Sequence, residues 1–188
     1  MTFIKNLSLK MKLLFIAVPP LIIVMLYSIL FLFYLVDEKS NLEKSQSRIK
    51  EAEVLAEITH FLQVERGLSI SFVSSKGSNK DKIPDIRQKV NTLIEEANTI
   101  YSQTKGDGSI LNKLNELSSK RTLIDELKIT APEVGAYYTR IIYSILDTTT
   151  VIPTLIGDKE SRNIIQAYTH LESVKEQLGQ IRANLNVA

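Results

Sequence analysis

The residues from Leu13 to Val36 form one apolar segment that contains no charged side chain. A helix over these 24 residues would be about 36 Å long, which exceeds the hydrocarbon core of a bilayer, about 30 Å thick. The segment therefore predicts a membrane-spanning helix. Pro19 and Pro20 lie in its first turns and predict a local kink, which a membrane helix tolerates.

Positive charge flanks only one end of this segment. Lys5, Lys10 and Lys12 precede it, and no acidic residue does. The positive-inside rule then puts residues 1–12 in the cytoplasm and residues 37–188 on the outer side of the membrane. We predict a single-pass protein of the inner (cytoplasmic) membrane, whose main domain is periplasmic.

A cleaved signal peptide is the alternative interpretation of the same segment. Its apolar core would be shorter, about 7–15 residues, and small residues would follow at the cleavage site. Here the segment ends in Phe33-Tyr-Leu-Val36, without such a pattern. The sequence therefore favours an uncleaved anchor over residues 13–36.

The composition excludes several classes of function. The chain has no Cys and two His, which excludes disulfides and zinc–thiolate sites and disfavours a His-rich metal site. Beyond the first three lysines, 20 basic residues face 21 acidic ones, a net charge of −1 that does not suit nucleic acid. Phosphate loops, nucleotide fingerprints and nucleophile–base pairs are absent from the sequence. We predict no enzyme, no cofactor and no nucleic-acid partner.

The residues after the anchor predict helices throughout. Apolar residues recur at helical spacing in five runs, and no useful run alternates with period two. Breaks are predicted at 75–79, 106–108, 130–133, where Thr130 and Glu133 form a capping box, and 157–158. The fold class is therefore all-α, with the transmembrane helix continuing into a bundle of about five helices. The fifth helix should face the core through Ile164, Tyr168, Leu171, Val174, Leu178, Ile181 and Leu185.

Arg66 is the residue within these helices that most suggests a binding site. Its guanidinium is a planar fork of donors that matches planar oxyanions. Gly67 follows it, lowers helix stability by about 1 kcal/mol relative to Ala, and could permit a close backbone approach or a bend. The alternative is a solvated arginine beside Glu65 on the outer face of the helix, and periodicity leaves both interpretations open.

Several stretches of this chain resemble the nitrate- and nitrite-sensing (NIT) domain family, over roughly residues 55–185. The strings that carry the resemblance are Leu62-Gln-Val-Glu-Arg-Gly-Leu-Ser69, Phe72-Val-Ser-Ser-Lys-Gly77, Leu117-Ser-Ser-Lys-Arg-Thr-Leu-Ile-Asp125, Tyr138-Thr-Arg-Ile-Ile142 and Lys175-Glu-Gln-Leu-Gly-Gln-Ile-Arg-Ala183. They occur in the order in which the family has them.

The resemblance implies an all-helical sensor that binds nitrate or nitrite through arginines. Such domains form the N-terminal sensor part of bacterial receptors, including methyl-accepting chemotaxis receptors, which are commonly homodimers. Carried over by position, Arg66 and Arg182 are the anion ligands, Gln63 and Ser69 are neutral donors, and Arg121 is a third arginine.

The resemblance also carries two departures. The family usually has Glu where Ile181 stands, and its domain continues beyond the last residue of this chain. We therefore expect an incomplete domain, with the downstream signalling module outside this chain. The alternative function is a structural helical bundle that dimerises or binds a partner protein and takes no small ligand.

A shared site for Arg66 and Arg182 depends on the topology. If the break at 106–108 is a full turn, the fifth helix rises alongside the first, and the two arginines lie within roughly 10 Å of the same level. If the second and third helices were one element, the levels would differ by roughly 20 Å. An anion site between the two arginines therefore requires a bundle of five helices, in which the fifth helix runs parallel to the first.

Overall fold

The computed structural model describes residues 8–78, 80–104 and 108–185, with the side chains of Thr104 and of residues 182–185 left out. The described residues contain six α-helices, one 3-10 helix and no strand, which confirms the all-α prediction. The helices are α1 Leu9–Ser74, α2 Ile83–Thr104, α3 Ser109–Asn115, α4 Leu117–Asp125, α5 Ala131–Val151, the 3-10 helix Ile152–Leu155 and α6 Lys159–Leu185. The chain divides into two compact units, Met1–Glu43 and Lys44–Ala188.

The first unit contains the apolar segment. Every residue from 13 to 36 is exposed, and α1 continues through Pro19 and Pro20. Among the described residues, α1 is the one helix long and apolar enough to cross a membrane. The predicted membrane segment thus has a helical conformation and an apolar surface all round.

Contacts between helices of the second unit give the direction of each helix. Glu65 pairs with Arg87 and Lys50 pairs with Glu96, so α2 runs antiparallel to α1. The predicted third helix is divided at Glu116 into α3 and α4. Both run antiparallel to α5, since Lys113 bonds Ser144, and the Lys120 ammonium lies 5.5 Å from the ring centroid of Tyr137.

The last helix returns alongside the first. The Gly157 N–H, just before α6, donates to Ser45 Oγ at 3.3 Å, and Arg66 pairs with Glu176 further along both helices. Residue numbers therefore increase in the same direction along α1 and α6, and the two helices are parallel. With α3 and α4 counted as one helix, this arrangement is the five-helix topology that a shared site for Arg66 and Arg182 requires.

The helix ends follow local chemistry that the sequence indicated. The Gly77 and Lys76 N–H groups bond Phe72 O and Val73 O, a Schellman end for α1, with Lys76 itself in the left-handed region at φ 53°. At the start of α5, the Glu133 carboxylate accepts hydrogen bonds from both the N–H and the hydroxyl of Thr130. These bonds lower the pKa of Glu133.

The predicted break at 157–158 is present, and a 3-10 helix precedes it. The chain leaves α5 at Val151 and passes into the 3-10 helix that contains Pro153. Asp158 accepts a hydrogen bond from the Ser161 N–H at 2.7 Å, which satisfies a donor at the start of α6.

The orientation of α6 differs from the prediction. The apolar residues expected in the core are 42–60% exposed, namely Ile164, Tyr168, Leu171, Val174, Leu178 and Ile181. The inward face instead buries Thr169, Glu172 and Glu176. The prediction that the apolar stripe packs on the core is therefore wrong, because α6 docks on α1 through a buried carboxylate and its hydrogen bonds. Leu185, also expected in the stripe, has a side chain outside the described part.

Candidate functional site

Five polar side chains from three helices form a hydrogen-bonded group centred on the buried carboxylate of Glu176, and we call them the Glu176 cluster. They are Gln63 and Arg66 of α1, Thr139 of α5, and Glu176 and Gln180 of α6. Glu176 is fully buried, and the Arg66 side chain is 13% exposed. The predicted arginine thus lies inside the bundle, and the interpretation of Arg66 as a solvated outward residue is wrong.

The geometry of Arg66 leaves part of its guanidinium available. Arg66 Nη1 and Nη2 donate to the two carboxylate oxygens of Glu176 at 2.6 and 3.2 Å, and Nη1 also donates to Thr139 Oγ1 at 2.9 Å. These bonds use the end of the planar fork. Among the described residues, no acceptor is bonded to Nε–H or to the second hydrogen of Nη2, which together form the side edge of the fork.

Neutral donors complete the surroundings of the Glu176 carboxylate. Gln63 Nε2 donates to Oε2 and Gln180 Nε2 donates to Oε1, each at 2.9 Å. With Arg66, the carboxylate therefore accepts four hydrogen bonds. A fully buried carboxylate needs such partners in place of water. The donors of the cluster thus hold a planar group with two oxygens, which in this structure is the carboxylate of Glu176.

Two glycines differ in what surrounds them. A Cβ on Gly179, one turn beyond Glu176, would lie 3.7 Å from Arg66 Nη2, whereas a Cβ on Gly67 would meet nothing within 4 Å. The expectation of a close backbone approach at Gly67 is therefore wrong. Gly179 is the glycine that leaves bare backbone next to the guanidinium.

A second cluster lies around Glu65, the residue next to Arg66 on α1, and we call it the Glu65 cluster. Arg121 of α4 donates through Nε and Nη2 to both oxygens of Glu65 at 2.7 Å each. Arg87 Nε and the Tyr138 hydroxyl also donate to Oε1, at 3.2 and 2.8 Å. The outer members of the cluster are Asn91, bonded to Arg121, and Asp125, bonded to Arg87.

Burial and the Glu65 carboxylate together shift the pKa values of Tyr138 and Arg121. Burial raises the pKa of Tyr138, and the adjacent charge of Glu65 raises it further, so the phenol remains a hydrogen-bond donor. Burial lowers the pKa of the Arg121 guanidinium, but the hydrogen bonds and the charge of Glu65 outweigh this effect and leave the pKa raised. Arg121 is therefore a permanently charged partner whose side edge is occupied by Glu65.

The structure distributes the predicted site residues over the two clusters. Gln63 and Arg66 belong to the Glu176 cluster, and Arg121 belongs to the Glu65 cluster. Ser69 Oγ is buried beside the Tyr138 hydroxyl, on the Glu65 side of α1. Arg182 lies on α6 six residues beyond Glu176, about 9 Å along the helix, and its side chain lies outside the described part.

The sequence analysis missed Thr139, Glu176, Gly179 and Gln180. Three of them stand in the stretch 175–183 that carries the family resemblance, and the spacing of three or four residues puts them on one helix face. That spacing was a usable signal. Thr139 left no such signal, because its contact with Arg66 joins residues 73 positions apart.

The described residues contain no group of three or more His, Asp or Glu side chains that could hold a metal ion. The chemistry of both clusters is ion pairing and hydrogen bonding between arginines and planar carboxylates.

Comparison with known proteins gives one match. A family model described as nitrate and nitrite sensing matches residues 57–188, which are 132 of the 188 residues of the chain. No curated protein and no solved structure matches. The matched residues include both clusters. The chain therefore belongs to the nitrate- and nitrite-sensing family.

Proposed function

We propose that this protein is a membrane-anchored sensor that binds nitrate or nitrite at Arg66 and Arg182, between α1 and α6. The observation that carries the proposal is the buried fork of Arg66. Glu176 holds one edge of that fork, and no described acceptor occupies the other edge. Gln63 supplies a neutral donor beside the same carboxylate.

The chemistry of the ligand fits the open edge. Nitrate and nitrite are planar monoanions whose oxygens can accept two parallel hydrogen bonds, as a carboxylate does. Glu176 and Thr139 fix the guanidinium plane, so little side-chain entropy remains to be lost on binding. Since Arg66 and Glu176 together are neutral, a bound anion needs a second positive charge. Arg182, three residues beyond Gly179 on the same helix face, is the residue we assign to that role.

Arg121 and Ser69 have a different role in this proposal. The side edge of Arg121 is occupied by Glu65 through two bonds of 2.7 Å, so a ligand would have to displace a buried carboxylate. Ser69 lies on the same side of α1 as Glu65. We assign both residues to holding α1 against α4 and α5 rather than to the anion.

The signal would pass along α1, which carries both the apolar segment and Arg66. An anion held by both helices would favour one relative position of α1 and α6, and its effect is limited to its difference in affinity for the two positions. In this proposal the N-terminus is cytoplasmic and residues 37–188 are periplasmic. The output is a chemotaxis-type receptor pathway.

The proposal predicts that nitrate or nitrite stabilises the full chain in detergent, relative to chloride at matched ionic strength. At 100 times the dissociation constant the stabilisation is about 2.7 kcal/mol, which thermal unfolding followed by circular dichroism detects. Arg66→Lys keeps the charge opposite Glu176 but lacks the planar fork, and Arg182→Ala removes the second charge. Both variants should bind the anion at least tenfold more weakly in titration calorimetry.

Arg48→Lys is the matched control for these variants. Arg48 lies on the same helix and pairs with Glu51, a buried carboxylate, at 2.7 Å. It should bind the anion as the unchanged protein does. If nitrate and nitrite have no more effect than chloride, or if Arg66→Lys and Arg182→Ala bind them unchanged, the proposed function is wrong.

The exposed stripe of α6 favours a second candidate function, which is the binding of a second copy of this chain. Six large apolar side chains along about 25 Å of one helix face form the kind of surface that protein interfaces cover. We expect the full chain to be a dimer by light scattering, and Leu171→Glu with Leu178→Glu to make it monomeric. A monomer before substitution would remove this candidate and leave the anion proposal untouched.

A further inference from the structure

We propose that Glu176 restricts the anion site to monovalent anions, and that it does so by holding one negative charge permanently against Arg66. This inference rests on the proposed function, and it assigns the class of ligand that the same site accepts. Glu176 is a specificity-determining residue in this proposal, because its charge acts on the ligand that Arg66 holds.

The first step is the charge of the site. One edge of the Arg66 fork has no bonded acceptor among the described residues, and Glu176, which is not exposed to solvent, lies against the other edge at 2.6 Å. Because the carboxylate is buried, water and salt screen its charge much less than they would at the surface. In the proposed function Arg182 supplies a second positive charge, which gives the site two positive charges and one negative charge, so one monoanion makes it neutral.

The second step is what a dianion would meet. Sulfate or hydrogen phosphate in its dianionic form would leave a net negative charge within a few ångströms of a buried carboxylate, and like charges at such distances repel strongly. The repulsion needs no contact between the ligand and Glu176. Small planar monoanions avoid it and keep the two parallel hydrogen bonds of the side edge.

The third step is that hydrogen bonds fix the position of the Glu176 carboxylate. Gln63, Gln180, and both terminal nitrogens of Arg66 donate to its two oxygens. These four bonds from α1 and α6 keep the negative charge in place. The other buried carboxylate of α6, Glu172, pairs with Lys175 on its own helix, and no bond joins it to Arg66 among the described residues.

The inference predicts that one of two substitutions in the full chain changes the selectivity and that the other does not. Glu176→Gln removes the charge at nearly constant shape, and calorimetry should then detect sulfate binding that the unchanged protein lacks, with nitrate still bound. Glu172→Gln is the matched control, since it removes a buried carboxylate of the same helix away from Arg66, and it should leave the selectivity unchanged.

A second pair of variants tests the effect of charge while Glu176 stays in place. Thr139 Oγ1 accepts from Arg66 Nη1 at 2.9 Å, so Thr139→Asp adds a carboxylate that can pair there. We expect Thr139→Asp to weaken nitrate binding at least tenfold and Thr139→Asn to weaken it less than threefold. This pair remains informative if Glu176→Gln does not fold, as judged by its unfolding transition.

The outcomes separate this inference from the function on which it rests. If the unchanged protein binds neither nitrate nor nitrite, the proposed function fails first. If the unchanged protein binds nitrate but Glu176→Gln gains no sulfate binding, the charge of Glu176 does not select the ligand. Equal effects of Thr139→Asp and Thr139→Asn would overturn the inference in the same way, as would sulfate binding by the unchanged protein.

Discussion

Glu65→Ala is expected to lower the free energy of unfolding by about 3–5 kcal/mol, since removal of one partner leaves buried charges uncompensated. The two partners are Arg121 and Arg87, whose side chains are 10% and 14% exposed. Domains of this kind are stable by about 5–15 kcal/mol, so the loss takes a large part of the total. Urea unfolding of the full chain in detergent, followed by circular dichroism, measures it.

Glu57→Ala is the control for this substitution. Glu57 lies on the same helix, two turns earlier, and is exposed, so its loss should change stability by no more than about 0.5 kcal/mol. A cost below about 1 kcal/mol for Glu65→Ala would mean that water reaches the two arginines and that the Glu65 cluster does not hold the core together.

Much of the fold could be predicted from local patterns along the chain. Helical spacing of apolar residues and the capping chemistry at Thr130 and Asp158 act within a few residues, so their outcome can be read from the sequence. Counting helices left two directions open for α6, and the five-helix alternative is the one that the structure has. The rotation of α6 could not be predicted in that way, because the rule that an apolar face packs inward assumes that apolar burial decides the docking.

Local patterns also do not predict which distant residues meet in the candidate site. Glu65 and Arg66 are neighbours in sequence and lie about 100° apart around the helix axis. They therefore serve clusters on different sides of α1, with Arg121 on one side and Glu176 on the other. Spacing predicts which residues share a helix face. It does not predict which partner, 56 or 110 positions away, will meet that face.

A movement of α1 would affect both clusters. A rotation of the helix would change the distances in both clusters at once, because Glu65 faces one cluster and Arg66 faces the other. Glu65 and Glu176 each accept four hydrogen bonds, but two arginines pair with Glu65 and one arginine pairs with Glu176. The Glu65 side is therefore the more strongly held, and the Arg66 side is the one that we expect to respond to an anion.

The second large effect is expected for Arg66→Ala, which should also cost about 3–5 kcal/mol, because it leaves Glu176 buried without its cation. Loss of nitrate binding in this variant would mix an unfolding effect with the loss of a ligand. Arg66→Met with Glu176→Leu removes both charges and keeps similar volumes, and such replacements of buried pairs are often neutral. We expect the double variant to regain stability to within about 1–2 kcal/mol of the unchanged protein.

The double variant separates the two roles of Arg66. Its unfolding transition should resemble that of the unchanged protein, yet nitrate and nitrite should no longer shift it, because the fork is absent. Water can reach Gln63, Gln180 and Thr139, which are all partly exposed, so the loss of the charged pair need not leave their polar groups unsatisfied. A double variant as unstable as Arg66→Ala would show that the hydrogen bonds of the Glu176 cluster, rather than charge compensation, hold α6 on the bundle.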